Sequence, residues 1–306
     1  MPKPQPIGLA SALAALAISF LWGGNIVSIR VGLSSVPPIW SAFWRMLAGI
    51  AFVYLWARFT AVRIHPAKGE TIPLILLGLL FTAQIALLNI GTSLTSPGFA
   101  VVILNAYSVY ANITGHIAAK YAHSVVHEEP LTGIRILGLG LAVAGVTWLA
   151  LGNPDPNLAA HPLAGNLVII TSSILLGIRQ VFTRWLVQTI HPVQSVVWQM
   201  GVSIPLFLAG ALLFESPPAG PIQWKPVAAI LYQGIVVAGI CFIGWAGLLK
   251  KHAAGTISMF AFLVPVSGIF LSSQIFSESI PATLYAGAAL ILTGVFTVVR
   301  LGQSRT

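Results

Sequence analysis

The chain of 306 residues is too apolar and too sparsely charged to cover the surface of a soluble protein. Hydrophobic residues make up 57% of it and charged residues 7%, with a net charge of +9, whereas a soluble domain carries roughly 25% charged residues. The basic residues are scattered between apolar runs, which excludes a nucleic-acid-binding face. The single cysteine, Cys241, excludes an intrachain disulfide and a cysteine-based metal cluster. The composition therefore indicates an integral membrane protein.

Ten mainly apolar runs follow one another along the chain, and a helix of about 20 such residues spans a bilayer. The predicted spans are 8–29, 38–57, 71–91, 98–119, 131–151, 164–184, 193–214, 226–248, 256–275 and 281–300. The connecting segments are short and rich in turn formers, so no soluble domain is predicted. The first run continues to about Val27 without a clear cleavage site, and we interpret it as a mature helix and not as a signal peptide.

The distribution of basic residues predicts the orientation, because Lys and Arg are concentrated in cytoplasmic segments. A cytoplasmic N-terminus places most of the 15 Lys and Arg residues on the cytoplasmic side and leaves Arg30 and Lys225 outside. We therefore predict a multi-pass protein of the cell (inner) membrane with both termini in the cytoplasm. Its predicted partners are the lipid bilayer and a small-molecule substrate.

The two halves of the chain carry matching patterns. One constant offset relates Arg30, Pro38, Trp44 and Met46 to Arg184, Pro192, Trp198 and Met200, and it also relates Gly23 to Gly177. A slightly shorter offset relates Glu129, Gly138 and Gly145 to Glu278, Gly287 and Gly294. Each half has five spans, an odd number, so the second half enters the membrane from the opposite side. The pattern predicts an all-α integral membrane fold of ten transmembrane helices, with residues 1–153 and 154–306 as two inverted five-helix repeats around a central cavity.

These features resemble a known family. The opening LWGGNIVSIRVGL…PP…W…R, the Glu129 and Glu278 that precede Gly-rich final helices, and the five-plus-five plan are similar to the EamA-type drug/metabolite transporter superfamily over about residues 8–300. The resemblance is greatest to bacterial amino-acid exporters, and it implies export or exchange of small metabolites. The chain departs from the family pattern at Tyr107, which stands in helix 4 where the proline equivalent to Pro265 is expected, and in several extra residues between Tyr107 and Glu129.

Helix 4 carries a stripe of polar residues, and a polar residue inside a membrane span is a functional hypothesis by default. On a helix that advances about 100° per residue, Asn105, Ser108, Asn112 and His116 fall within an arc of about 80°. The stripe either faces a water-filled substrate cavity or bonds neighbouring helices together. We favour the cavity, because four aligned polar groups exceed what packing requires.

Other polar residues extend the candidate site. Asn25 has Arg179 as its repeat equivalent, and Arg179 either clamps a substrate carboxylate or reaches the cytoplasmic interface. Gln84 and Asn89 lie about 140° apart on helix 3, so at most one of them lines the cavity. The residues predicted to bind substrate are Asn25, Gln84, Asn89, Asn105, Ser108, Asn112, His116 and Arg179.

Three further features are interpreted as structural. Arg45 is expected to reach the outer interface or a partner acid such as Glu278. Glu129 and Glu278 each stand just before a helix start, where the helix dipole favours a carboxylate. The glycine pairs near the end of each half suit close helix packing.

The distribution of ionisable residues bounds the mechanism. All six acids fall in loops or at helix ends, which disfavours a pump that carries protons or sodium on a mid-membrane carboxylate. His116 is the only plausible proton carrier, and no phosphate-binding loop, cofactor or metal site is predicted. We predict a secondary transporter, not an enzyme, that moves small amphipathic metabolites, amino acids first, by alternating access. The alternatives are a sugar, nucleotide-sugar or drug carrier, and a membrane-embedded enzyme on lipid-linked substrates that uses the loop residues His123, His127, Glu128 and Glu129.

Overall fold

The computed structural model describes residues 7–121, 133–152, 154–218, 223–251 and 259–297, and the regular structure of these residues is entirely helical. A π-helical segment, Tyr232–Cys241, and a 3-10 turn, Met259–Phe262, lie among the α-helices. The α-helices, numbered α1 to α12 in chain order, are Leu9–Gly32, Pro38–Phe59, Thr71–Leu94, Pro97–Asn105, Tyr107–Tyr121, Gly133–Ala150, Pro162–Leu186, Pro192–Phe214, Trp224–Leu231, Phe242–Lys251, Leu263–Phe276 and Ala282–Phe296.

Seven helical stretches of the described chain are long and apolar enough to cross a membrane. At most 44% of the residues in each spanning window are buried, so most of each helix presents apolar side chains outward, as contact with lipid requires. Three shorter apolar helices occupy the remaining predicted runs: Ile136–Ala150, Leu263–Phe276 and Ala282–Gly294. The prediction of an all-helical membrane protein is confirmed. The seven stretches are Leu9–Gly32, Pro38–Phe59, Thr71–Leu94, Pro97–Ala118, Pro162–Leu186, Pro192–Phe214 and Trp224–Trp245.

Proline and a distant carboxylate define the start of α2. Proline is well suited to the first helical position, because it lacks the N–H group that would have no partner there. Pro38 takes this position, and the carboxylate of Glu215 accepts hydrogen bonds from the next two N–H groups, those of Ile39 at 2.8 Å and of Trp40 at 3.0 Å. The positive end of the helix dipole adds to this attraction. The end of α8 is thereby fixed to the start of α2.

Glu278 caps a helix other than the one we predicted. Its Oε2 atom accepts from the N–H of Gly98 at 3.0 Å, at the start of α4, and from the hydroxyl of Ser272. The expectation that Glu278 stabilises the helix that follows it is therefore wrong, since α12 begins at Ala282 without a side-chain cap. Its counterpart Glu129 lies outside the described residues.

The fourth predicted span is not one continuous helix. It is interrupted at Ala106, whose N–H bonds to the carbonyl of Ile103, three residues earlier. The side chain of Asn105 donates to the carbonyl of Val101 at 2.8 Å, and the hydroxyl of Ser108 donates to the carbonyl of Asn105 at 3.3 Å. Such side-chain bonds compete with the helical ladder and bend helices. The break therefore occurs next to Tyr107 without the proline that marks this place in the family pattern.

The eighth predicted span also departs from a regular helix, because the 10 residues Tyr232–Cys241 in its middle are π-helical. Gly234 lies within this segment, and a Cβ atom added there would come within 2.6 Å of the carbonyl oxygen of Arg45 and 2.9 Å of the side chain of Ala48. The widened turn thus lets the backbone approach α2 closely. Segments of this kind are frequent at functional sites.

The glycines near the end of each half pack against one another. A Cβ atom at Gly145 of α6 would come within 2.9 Å of the carbonyl oxygen of Gly287, and one at Gly294 of α12 would collide with the carbonyl oxygen of Gly138. The two helices therefore approach each other at a distance that only small residues allow. The prediction that these glycines permit close packing is confirmed.

Candidate substrate site

Arg179 of α7 is buried inside the bundle, with 6% of its surface exposed. Its Nη1 atom donates to Oε1 of Gln199 in α8 at 3.3 Å. The guanidinium carbon lies 4.9 Å from the centre of the Phe81 ring and 6.0 Å from that of Phe242, distances at which aromatic faces attract a cation. Of the two alternatives for Arg179, this environment fits a group that serves the interior and not one that reaches the membrane interface.

Arg45 of α2 is also buried, with 2% of its surface exposed, and its Nη2 atom donates to Oδ1 of Asn25 in α1 at 3.4 Å. We expected this side chain to reach the outer interface or Glu278. That expectation is wrong, because the guanidinium turns into the bundle and Glu278 binds the start of α4. The error has a plain cause. The sequence gives the distance of Arg45 from the end of its helix, but it does not give the neighbours of Arg45 on α1.

The two arginine–amide pairs are related by the sequence repeat. The offset that relates Arg30 to Arg184 also relates Asn25 to Arg179 and Arg45 to Gln199. The first half thus has the amide on its first helix and the arginine on its second, and the second half has the reverse order. We call these four residues the arginine centre.

The arginine centre has hydrogen-bond donors without acceptors. Nε and Nη1 of Arg45 and Nε of Arg179 are buried and lack a partner. The carboxylates of the described residues bind elsewhere: Glu215 and Glu278 cap helices, and Glu70 accepts from Ala67 and Gln194. Asp155 accepts from the N–H groups of Asn157 and Ser279, which lower the pKa of its carboxyl group. Buried charges without a counter-charge are costly and mark functional sites in membrane proteins.

In the polar stripe of the fourth predicted span, three of the side chains donate hydrogen bonds to backbone carbonyls of the same span. Nδ2 of Asn112 donates to the carbonyl of Ser108 at 2.7 Å, and the side chains of Asn105 and Ser108 donate to carbonyls of the same span. The bonds that these three side chains donate are therefore local and do not join neighbouring helices. His116 differs, because its Nδ1 atom is buried without a partner. The break at Ala106 separates Asn105, in α4, from the other three residues, in α5.

Tyr107, the first residue of α5, connects the stripe to the arginine centre. Its phenol group lies within electrostatic reach of Arg179. The same turn packs on α7, since a Cβ atom at Gly177 would come within 2.9 Å of the carbonyl oxygen of Tyr107. The structure therefore brings the start of the stripe, but not the whole stripe, next to Arg179.

Gln84 and Asn89 lie in the contact between α3 and α7. Nε2 of Gln84 donates to the hydroxyl of Ser172 at 3.2 Å, and that hydroxyl donates to the backbone carbonyl of Gln84 at 2.9 Å. Nδ2 of Asn89 donates to the carbonyl of Ile85 in its own helix. Both side chains are fully buried. The hydrogen bonds of Gln84 thus join α3 to α7, while Oε1 of Gln84 and Oδ1 of Asn89 are buried without a partner.

Reasoning from the sequence missed Gln199, Phe81 and Phe242. The signal for Gln199 was present, because it occupies the position of Arg45 at the repeat offset. The two phenylalanines carry no comparable signal, since apolar aromatic residues are common throughout the spans. Only the packing of α3 against α7 and the approach of the Phe242 ring to Arg179 reveal them.

Two cavities lie away from the arginine centre. One, of about 400 Å³, is lined by loop and helix-end residues that include Arg63, His65 and His191. The other, of about 330 Å³, is an apolar groove beside α1 that includes Phe20 and Leu271. Neither cavity is lined by a residue of the arginine centre.

A family model described as the EamA-like transporter family matches residues 9–151 and 163–300 of the chain. The match covers both halves and leaves only a short connection between them. It also includes all four residues of the arginine centre.

Individual relatives extend over nearly the whole chain. A "Probable amino-acid metabolite efflux pump" of Escherichia coli is 26% identical and one of Salmonella typhimurium equally so, each over 92% of both chains. The "Uncharacterized transporter YoaV" of Bacillus subtilis is 21% identical, over 93% of this chain and 94% of its own. A solved crystal structure matches 96% of this chain and 98% of its own with a TM-score of 0.67 and 18% identity, which shows a shared fold.

Proposed function

The chain belongs to the EamA-like transporter family, and from this premise we propose that it exports or exchanges small amphipathic metabolites, amino acids first, by alternating access. The family and the relatives are transporters and efflux pumps and not enzymes. The names of two relatives point to amino-acid metabolites. The observation that carries the proposal is the arginine centre, because buried guanidinium and amide groups between spans suit a polar solute that crosses the membrane.

We further propose ten spans arranged as two inverted repeats, residues 1–153 and 154–306. Reciprocal packing supports this plan. Gly23 of α1 packs on Ser267 and Gly268 of α11, while its equivalent Gly177 packs on Tyr110 and Ala111 of α5. In the same way, Gly145 meets Gly287 and Gly294 meets Gly138. Contacts that recur after exchange of the halves are those that a two-fold relation between repeats produces.

The proposed orientation has both termini in the cytoplasm of a cell with an inner membrane. The concentration of Lys and Arg in the corresponding segments supports it. The relatives from Escherichia coli and Salmonella typhimurium, which have an inner membrane, fit this location.

The proposed mechanism does not depend on sodium. The four acids of the described chain, Glu70, Asp155, Glu215 and Glu278, bind backbone groups in loops or at helix ends. None of them is a mid-membrane ion carrier. The protein therefore acts as a facilitator or exchanger, with proton coupling, where present, through His116.

A carrier of sugars or nucleotide sugars is the second candidate. A phosphate-bearing solute requires several basic groups, and the structure adds buried Arg45 to Arg179. The aromatic rings beside Arg179 favour an amphipathic solute over a sugar phosphate. The enzyme alternative relied on His123, His127, Glu128 and Glu129, which lie outside the described residues, and the relatives argue against it.

Transport by the purified protein tests the proposal. In proteoliposomes that contain only this protein, we expect labelled amino acids to move down their gradient without sodium, and unlabelled amino acid on the other side to accelerate exchange. Liposomes without protein provide the control. An absolute sodium requirement, or movement of sugars and not of amino acids, would contradict the proposal.

A further inference from the structure

The arginine centre is the most unusual feature of the described chain, because it buries two positive charges among spanning helices. We propose that Asn25, Arg45, Arg179 and Gln199 form a site for the carboxylate of the transported solute. This inference rests on the proposed transport function and names the chemical group that the site recognises. It commits the substrate to a small organic acid or amino acid and excludes simple amines.

Unpartnered donors are the first support. A guanidinium has five N–H donors and no acceptor. Arg45 uses one of them on Asn25, and its Nε and Nη1 atoms are buried without a partner, as is Nε of Arg179. An oxygen anion is the acceptor that two such groups attract most strongly, and a carboxylate matches the fork of a guanidinium.

The packing of α2 on α8 is the second support. Gly49 lies one turn after Arg45, and a Cβ atom there would come within 3.3 Å of the Sδ atom of Met200. Met200 directly follows Gln199, which binds Arg179. Arg45 of one pair and Gln199 of the other therefore lie on neighbouring turns of helices in contact, a placement that would let one small anion bind both arginines.

The aromatic side chains around Arg179 indicate what the part of the solute beyond its carboxylate should be. The ring centres of Phe81 and Phe242 lie 4.9 Å and 6.0 Å from the guanidinium carbon of Arg179. Trp22 packs on Phe242 with ring centres 5.9 Å apart. An aromatic wall beside a cationic group suits a solute with a carboxylate at one end and an apolar body at the other, more than it suits an inorganic or sugar phosphate.

The repeat gives this arrangement a use in transport. Each half of the chain contributes one guanidinium and one amide, at exchanged positions. When one half moves relative to the other, a carboxylate held between them keeps one guanidinium with each half. A site placed on the axis that relates two repeats is thus accessible to the same anion in both orientations.

The test measures thermal unfolding of the purified protein in detergent, followed by tryptophan fluorescence. The probes are L-phenylalanine, 3-phenylpropanoate, phenylalanine amide, phenethylamine and inorganic phosphate. We expect the first two to raise the midpoint by about 2 °C or more at saturation, and the amide and the amine, which lack the carboxylate, to leave it unchanged. A wild-type protein that no carboxylate stabilises, or that phosphate stabilises more, overturns the proposal.

Matched variants assign the effect to the centre. Arg45→Gln and Arg179→Gln should lose the carboxylate-dependent shift, while Arg58→Gln and Arg184→Gln, exposed arginines on the same two helices, should keep it. Without ligand, the first pair should unfold at the wild-type midpoint or above, because each removes a charge without a counter-charge. A lowered midpoint with an intact carboxylate shift shows a structural role and overturns the site. Where a glutamine variant does not fold, lysine at the same position should preserve a reduced shift.

Transport separates this inference from the proposed function. In proteoliposomes, unchanged carboxylate selectivity of both glutamine variants overturns the site and leaves the transport function standing. Carboxylate binding by a wild-type protein that moves none of the probes leaves the site standing and overturns the transport function.

Discussion

The polar stripe of the fourth predicted span and the arginine centre both place polar side chains within spanning helices, but they differ in whether the hydrogen-bond donors have partners within the protein. In the stripe, Asn105, Ser108 and Asn112 donate to carbonyls of their own span, so their donors are satisfied without any solute. In the centre, Arg45 and Arg179 retain buried donors without partners. The comparison teaches that an aligned row of polar residues is not by itself the strongest sign of a binding site. Unsatisfied and charged donors are a stronger one.

Removal of a guanidinium should have the largest effect. We expect Arg179→Gln to reduce transport of a carboxylate substrate by about 10- to 100-fold, since hydrogen bonds to charged groups contribute about 1.5–3 kcal/mol. Initial rates of exchange in proteoliposomes measure it, with Arg184→Gln on the same helix as the control. Equal rates for the two variants would show that the guanidinium of Arg179 does not bind the transported carboxylate.

The second-largest effect is expected at the contact between α5 and α7, which connects the stripe to the arginine centre. A methyl group at Gly177 would press on the backbone of Tyr107 and Ala111, which cannot move as a side chain can. We expect Gly177→Ala to lower the free energy of unfolding by about 1–3 kcal/mol and to reduce carboxylate binding. Gly140→Ala, where the added methyl meets no atom within 4 Å, should leave both unchanged. A wild-type thermal midpoint for Gly177→Ala would show that α5 and α7 are not held together at this point.

A change within the stripe should have a smaller effect. Asn112→Leu removes an amide whose donor is already satisfied, and we expect transport to fall by about two- to tenfold, as for loss of one neutral hydrogen bond. Leucine is at home in a spanning helix, so the yield of purified protein should not change. Normal transport would mean that the stripe only shapes its own helix.

Labelling of single cysteines checks the same region. In a Cys241→Ala background, cysteine at position 112 should react with a water-soluble thiol reagent, because the reactive thiolate requires water. Val102 is buried in packing and Ile113 faces outward, so cysteines at these two positions should react slowly. Equal labelling at all three positions would exclude a water-filled path along the stripe.

The smallest expected effect concerns His116. Its Nδ1 atom is buried without a partner, and imidazole is the side chain best suited to exchange protons near neutral pH. We expect His116→Gln to keep transport down a substrate gradient and to blunt the response to an imposed pH gradient. The ratio of rates with and without the gradient measures this. An unchanged ratio would remove His116 as a proton carrier.

The sequence predicts the fold well where one physical rule decides it. Apolar length locates the spans, proline marks the start of α2, and the paired glycines identify the close approach of α6 and α12. The break at Ala106 was missed, because a helical wheel assumes a continuous ladder while Asn105 and Ser108 bond to backbone carbonyls beside the break.

The site was harder to predict, because its partners come from different helices. Arg45 was interpreted from its distance to the helix end, although its repeat relation to Gln199 was present in the sequence. The polar stripe could be predicted from the sequence, because its successive members are four or fewer residues apart on one span. Contacts such as that of Arg179 with Phe81 depend on helix packing, which no local pattern encodes.

A crystal structure with bound 3-(4-bromophenyl)propanoate tests the central claim most directly, because the bromine locates the ring and the density locates the carboxylate. The account predicts carboxylate oxygens within about 3 Å of guanidinium nitrogens of both Arg45 and Arg179, with the ring beside Phe81. A ligand bound only in the apolar groove beside Phe20 and Leu271, or along the stripe with both guanidinium groups unchanged, would contradict it.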